Sequence, residues 1–320
     1  MKNAMLFAVA VLVGGGSADV LAQKYPTKPM RLISPFAPGG GTDILSRILA
    51  VPLSATFGEP VVVDNRPGAG GATGAELVAR AEPDGYTLIT VSSSYAATSA
   101  YGKPSYDPIN GIQPIISLGT TGLVMSVHPS MPVKSVKELI DHAKANPGKL
   151  NYATVGPGSI THLAHEQFRL QAGINIVHIP YKGGGPALVA LVAGEVQMTM
   201  ISILPTLPHM KAGRLRAIGL TSPKRSSVMP EVPTISETVP GFEVIHWYGI
   251  WGPKGMPKHV VALWNSEVAK ILQTDEMKAK TRSEGLEGGG GPPQEFGAML
   301  KGDIEKWRRV MKEAKIKPEA

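Results

Sequence analysis

Between residues 30 and 221 the chain repeats one local pattern: a short apolar run, a turn rich in glycine or proline, then a stretch with helical spacing. Strand, helix and strand in that order require right-handed crossovers and a parallel sheet, so the pattern restricts the chain to an α/β fold. It is sharpest at 32–43, Leu-Ile-Ser-Pro-Phe-Ala-Pro-Gly-Gly-Gly-Thr-Asp. The apolar run 30–34 reads as a strand, and two prolines and three glycines then form a turn that neither extends it nor starts a helix. Ile44, Ile48, Leu49, Val51 and Leu53 follow at helical spacing, with Thr42 or Asp43 placed to cap. A helix that starts directly after such a turn presents unpaired backbone N–H groups at its positive end and can bind an anion by backbone alone. The same residues also suit a turn whose glycines serve only geometry.

Taken in order, the chain continues with a strand at 60–65, where Val61, Val62 and Val63 read as buried on both faces. A helix at 72–80 and a strand at 86–91 follow, the latter running into Ser92, Ser93 and Ser94. A strand at 123–128 and a helix at 133–145 precede a second alternating series. That series reads as strands at 150–155, 176–181, 196–202 and 215–221, with helices at 159–172, 186–193 and 206–212. Its turn Gly156-Pro157-Gly158 leads into Ser159 as the turn at Gly39 leads into Thr42. Residues 222–243, rich in serine and proline, are expected to wander over the surface. A strand at 244–253 and a long amphipathic helix after Pro257 close the series. Two α/β lobes joined by crossing strands result, with the glycine turns at the carboxyl ends of the strands, where open α/β sheets bind ligands.

The N-terminus points to export. Lys2 precedes ten apolar residues at 4–13, and Val20-Leu21-Ala22 supplies a cleavage signal, so residues 1–22 read as a signal peptide and the mature chain begins near Gln23. Ten residues are too few to span a bilayer. The chain has no cysteine, which excludes a disulfide framework and a lipoprotein anchor. The net charge of +7 is scattered, and aromatic residues make up 6%. Neither suits a nucleic-acid surface, which concentrates its basic groups and stacks bases on rings.

Catalytic signatures fail on inspection. The run Gly68-Ala-Gly70-Gly-Ala-Thr-Gly74 is one residue off a dinucleotide fingerprint, and no glycine turn is followed by a P-loop lysine. Ser159 lacks the G-x-S-x-G frame of a nucleophile elbow. His162 and His165 lie three apart with no third ligand clustered beside them, so no metal or cofactor is expected. What remains is a set of small polar residues at strand-to-helix junctions: Thr42, Ser92, Ser94, Ser159 and Thr161. Each alone suits a cap, yet together they lie at one edge of two lobes. Two helix ends converging on one carboxylate would hold it without a buried arginine. Tyr181 stands where a strand meets a turn, within reach of the cleft, while Trp247 and Tyr248 suit either contact with ligand or, the reading preferred, packing of the hinge.

Several of these stretches resemble one family. Residues 35–43, 63–71 (Val-Asp-Asn-Arg-Pro-Gly-Ala-Gly-Gly) and 83–88 (Pro-Asp-Gly-Tyr-Thr-Leu) look like the first lobe of the periplasmic receptors of tripartite tricarboxylate transporters, also called Bug proteins. Residues 146–152, 180–183, 208–213 and 247–253 resemble the rest, so the likeness covers the whole mature chain. It implies a two-lobed periplasmic binding protein of the Venus-flytrap type (type II), each lobe a mostly parallel sheet flanked by helices. Residues 23–122 with 252–320 would form one domain and 123–251 the other. It also implies a monomeric, non-catalytic receptor that captures a small carboxylate and hands it to membrane permease subunits. The implied ligand contacts are Phe36, Ala37, Pro38, Gly39, Gly40 and Thr42, then Gly156, Ser159 and Thr161, with Ser92, Ser94, Tyr181 and Ile201 alongside. Where many members carry an aspartate, this chain has Ser202, which points away from amino acids and toward an aromatic or aliphatic mono- or dicarboxylate. Two other readings stay open: a secreted hydrolase using Ser159 with His162, and a receptor that feeds a sensor kinase.

Overall fold

The computed structural model describes residues 25–283, 285–313 and 316. The expected signal segment lies outside them. Strand β1 (Met30–Ser34) runs parallel to both β2 (Val61–Asn65) and β3 (Thr87–Ser92), with Leu32 opposite Val63 on one side and Leu88 on the other. Helices α1 (Gly41–Phe57) and α2 (Ala72–Ala79) supply the crossovers. A second parallel set lies in the other half, where β5 (Asn151–Thr154) pairs with β6 (Val177–Pro180) and β7 (Met198–Ser202). Helices α4 (Val136–Ala145), α5 (Ile160–Ala172), α6 (Gly184–Val192) and α7 (Ile203–Lys211) flank it. Each half is thus a parallel α/β lobe.

Two antiparallel strands stitch the lobes together. Strand β4 (Ile112–Val127) pairs with β9 (Ile245–Pro253) up to Gly122, then crosses over and pairs with β7 and with β8 (Arg216–Leu220) from Leu123 onward. The sequence reading finds only the second half of β4, because Pro114 and Gly119 interrupt the first half; both sit where the register shifts. The ladder partners of β9 lie on β3 and the first half of β4, so residues 245–251, which the expected division assigns to the second lobe, run in the first-lobe sheet. Leu49, Leu88, Ile250 and Trp264 belong to one core. Leu139, Tyr152, Phe168 and Met200 belong to another.

Some local expectations change. Strand β2 is the edge strand, and Val62 is 49% exposed rather than buried on both faces. Residues 222–243 do not wander: Met229, Val232, Ile235, Val239 and Phe242 are buried, and Thr234 and Glu237 form a capping box. Helix α3 (Ser94–Tyr101) starts straight after β3, in a Ser/Ala/Thr stretch with no apolar period to announce it. The C-terminal part adds α8 (Lys258–Gln273), α9 (Asp275–Ser283) and α10 (Pro293–Glu313). Among the described residues, no helix is long and apolar enough to cross a membrane.

Candidate ligand cleft

Strands β1, β3, β5, β6 and β7 each end at the interface between the lobes, and each feeds a helix that begins there. The starts of α1 (Gly40, Gly41, Thr42), α3 (Ser94), α5 (Ile160, Thr161), α6 (Gly184) and α7 (Ser202) line one cavity. Apolar walls come from Phe36, Leu123, Val155 and Ile201. None of its described lining residues is a lysine, arginine, aspartate or glutamate. Each helix start carries a partial positive charge and N–H groups without intrahelical partners. The cavity is therefore positively polarised without containing a cation. The sequence reading foresees two such ends; the structure brings five together.

The lobes touch directly on both sides of this cavity. On one side the Ala37 N–H donates to the Lys182 carbonyl at 3.0 Å. Glycine permits that approach: a Cβ on Gly185 would lie 2.3 Å from the Pro38 carbonyl oxygen. On the other side a Cβ on Gly70, whose φ is +64°, would lie 2.7 Å from the Pro157 carbonyl oxygen. The Ser94 Oγ accepts from the Ile160 N–H at 3.3 Å, one lobe capping a helix of the other. This is a closed cleft.

Around α1, the expected caps shift by two or three residues. Gly40 is the N-cap and offers no side chain, while Thr42 and Asp43 sit inside the first turn. Asp43 instead reaches back, its Oδ2 accepting from the Gly39 N–H at 3.0 Å. Burial raises its pKa, but hydrogen bonds from Arg47, Gly39 and Asn65 outweigh that and hold the carboxyl below its ordinary value. At α5 the N-cap is Ser159, whose Oγ accepts from the His162 backbone N–H at 3.3 Å. The same Oγ donates to the Gly156 carbonyl at 2.6 Å. Thr161 Oγ1, 2.9 Å from Ser159 Oγ, must therefore be the donor of that pair, and it accepts from the Val155 N–H at 3.0 Å. Both hydroxyl protons are spent inside the turn.

That geometry bears on the hydrolase alternative. Ser159 is fully buried and its proton points at a carbonyl, while His162 Nδ1 accepts from the Gly158 N–H at 3.1 Å. The pair serves to shape a turn, and the nucleophile–base arrangement that reading requires is not built. His162 stacks on His178 at 4.1 Å, and His178 stacks on Tyr152 at 5.2 Å. The rings pack behind the turn.

Strand β9 contributes two lining residues: His246, to which the sequence assigns no ligand role, and Tyr248, for which it prefers hinge packing. His246 Nδ1 lies 2.6 Å from Ser93 Oγ, and burial pushes its pKa down to about 3, so the ring is neutral. Tyr248 donates from its hydroxyl to Ser202 Oγ at 2.8 Å, and burial raises its pKa. Both are buried, and their rings meet edge-on at 4.7 Å.

Of the residues expected to contact ligand, Phe36, Gly40, Thr42, Ser92, Ser94, Thr161 and Ile201 line the cavity. Ala37, Pro38 and Gly39 form its rim against Lys182 and Gly185. Gly156 is buried against Gly70, and Ser159 lies beneath the lining as a cap. Tyr181 lies away from it, packed against the cluster of Ala153, Leu188 and Ile201. Gly41 and Ile160, inside the two expected motifs, and Tyr248 also line the cavity, and Leu123, Val155, Gly184, Ser202 and His246, to which the sequence assigns no ligand contact, complete the lining.

Known proteins share this fold. Residues 45–316 match the family described as tripartite tricarboxylate transporter family receptor. Protein BugT of Bordetella pertussis is 35% identical over 320 residues, covering 98% of each chain. The structure of R. palustris Rpa4515 with adipate superposes with a TM-score of 0.89 at 36% identity, over 92% of this chain and 100% of that one. The structure of MatC from Rhodopseudomonas palustris with bound malate gives a TM-score of 0.84 at 29% identity, over 89% of this chain and 99% of that one.

Proposed function

The chain belongs to the tripartite tricarboxylate transporter family of receptors, and on that footing we propose that it captures a small carboxylate in the closed cleft and delivers it to the membrane subunits of such a transporter. One observation carries the reading of the ligand: five helix starts converge on a cavity whose described lining contains no charged side chain. A carboxylate placed there exchanges water for backbone N–H donors, each a charge-assisted hydrogen bond, with no buried cation to desolvate. The starts of α1 (Gly41, Thr42) and α5 (Thr161, the Ile160 N–H being held by Ser94) are the best placed, one from each lobe. The R. palustris relatives hold adipate and malate, both carboxylates. An amino acid is a poor fit, because its ammonium group would meet no acidic residue among those lining the cavity and would be buried unpaired.

Export follows from the apolar segment before Gln23, with the mature chain acting as a monomer that returns its ligand chemically unchanged. Closure bends β4 near Gly122, where it leaves β9 for β7 and β8, and the segment that enters β9, and ligand stabilises the closed form by contacting both lobes. The test is a thermal-shift screen over carboxylates and amino acids, followed by calorimetry. A ligand specific to the folded chain, present at 100 times its Kd, contributes about 2.7 kcal/mol and raises Tm by several degrees. Carboxylates should do this. Tight binding of an amino acid, with none of any simple carboxylate, rejects the reading.

A further inference from the structure

Tyr248 occupies an unusual place in the cavity. Its hydroxyl stands between the starts of two helices from opposite lobes, donating to Ser202 at the head of α7 and abutting Gly41 at the head of α1. The fit to Gly41 is close: a Cβ there would lie 1.9 Å from the tyrosine oxygen. The neutral phenol thus stands beside two positive helix ends whose residues also line the cavity. Tyr248 is 1% exposed, and its ring is braced edge-on by His246, which is itself tied to Ser93. A ring held from three sides does not swing aside for a longer ligand. Its anchor on β9, a strand shared with β3 and β4, fixes its depth in the cleft independently of loop movement.

We infer that Tyr248 sets the chain length of the carboxylate this receptor accepts, by closing off the cavity at the α1/α7 end. The inference rests on the carboxylate reading of the cleft. An open-ended apolar groove would gain about fourfold in affinity per added methylene, the transfer value of one buried CH₂. A cavity ended by a fixed ring gains to an optimum length and then loses steeply, because overpacking a braced core forces side chains off their rotamers. Gly41 and Ser202 at the two helix starts line the cavity beside the ring, so a shorter side chain would open room next to them for the far end of a longer diacid.

The experiment is calorimetry of straight-chain monocarboxylates and α,ω-dicarboxylates from three to ten carbons against the wild type, Tyr248→Phe, Tyr248→Leu and Tyr248→Met. The wild type should show an optimum, with at least a tenfold loss within two further carbons. Tyr248→Phe keeps the ring and loses the bond to Ser202, so all affinities fall several-fold with the optimum unmoved. Tyr248→Leu should move the optimum up by one to three carbons, and Tyr248→Met offers a flexible side chain of similar bulk if the leucine variant does not fold. An optimum that stays put in whichever of the two folds, or a wild-type series that keeps gaining with length, overturns the length-setting role. A wild type that binds no member of either series, while binding a ligand of another class, overturns the carboxylate reading itself and with it this inference.

Discussion

At the head of α1 the cap is Gly40, which has no side chain to offer, and the nearest carboxylate reaches past the end of the helix to Gly39. At the head of α5 the cap is Ser159, and a second hydroxyl, Ser94, reaches across from the other lobe to the Ile160 N–H. The two junctions share a strand, a glycine turn and a helix, so their local sequence logic is the same. They differ in how much of the helix end the protein uses for itself. The α1 end has no side-chain cap; the Tyr248 hydroxyl abuts it at Gly41, and Gly41 and Thr42 still line the cavity. The α5 end is partly satisfied from both lobes and responds to whether the cleft is shut.

The largest effect should come from blocking the uncapped end. Gly41→Ala drives a methyl group into Tyr248 and leaves a Ser202 Oγ only 3.0 Å away, so carboxylate affinity measured by calorimetry should fall at least 100-fold, roughly 2.8 kcal/mol. If a matching change at α5 did equal harm, the asymmetry between the two ends would be broken. Next come the seams. Gly70→Ala, on the α5 side, meets the Pro157 carbonyl and holds the lobes apart. It should weaken binding roughly tenfold, about 1.4 kcal/mol, and enlarge the radius of gyration of the ligand-saturated protein in solution scattering. Ser94→Ala removes the cap that spans the lobes and leaves an N–H to find water; a loss of roughly threefold to tenfold in affinity is expected, about 1 kcal/mol.

Ser159→Ala should act chiefly on stability. Losing an N-cap costs about 1 kcal/mol, which lowers Tm by roughly 3 °C in calorimetry while affinity falls less than in Gly41→Ala. A Ser159→Ala variant with intact structure but no binding would reverse the roles assigned to the two ends. The smallest effect separates the ends by pH. Asp43 has a folded-state pKa below its ordinary 3.8, so its contribution is present above that value and disappears as pH falls through the folded value. Asp43→Asn should therefore lower Tm by roughly 2 °C at pH 7 and by less near pH 3. The cap of α5, a hydroxyl, shows no such dependence.

The alternating half of the fold was legible because its code is local: apolar runs, glycine turns and helical spacing each announce themselves within a dozen residues. The heads of α1 and α5 could be read for the same reason. Ser202 escaped as a helix start because Pro205 and Pro208 suggest a later beginning for α7, whereas Pro205 is accommodated in its first turn, where a missing N–H does no harm. Gly184 likewise opens α6 although Gly183-Gly184-Gly185 reads as pure turn. Tyr248 and His246 lay further out of reach. Which face of β9 meets the cavity depends on its pairing with β3 and β4, strands distant in sequence, and alternation within β9 cannot supply that register. Helix α3 had no apolar period to betray it, since its Ser, Ala and Thr residues pack closely between lobes rather than forming one greasy stripe.

The cavity presents peptide groups where other anion sites place lysine or arginine. A backbone amide neither gains nor sheds a proton in any medium the folded chain survives, and its dipole acts over a few ångströms rather than across a Debye length. A cargo buried against peptide groups depends less on salt than one held by exposed cations, and acidification weakens its hold chiefly by neutralising the cargo itself. Sensitivity to the environment is thereby moved from the protein to the molecule it carries.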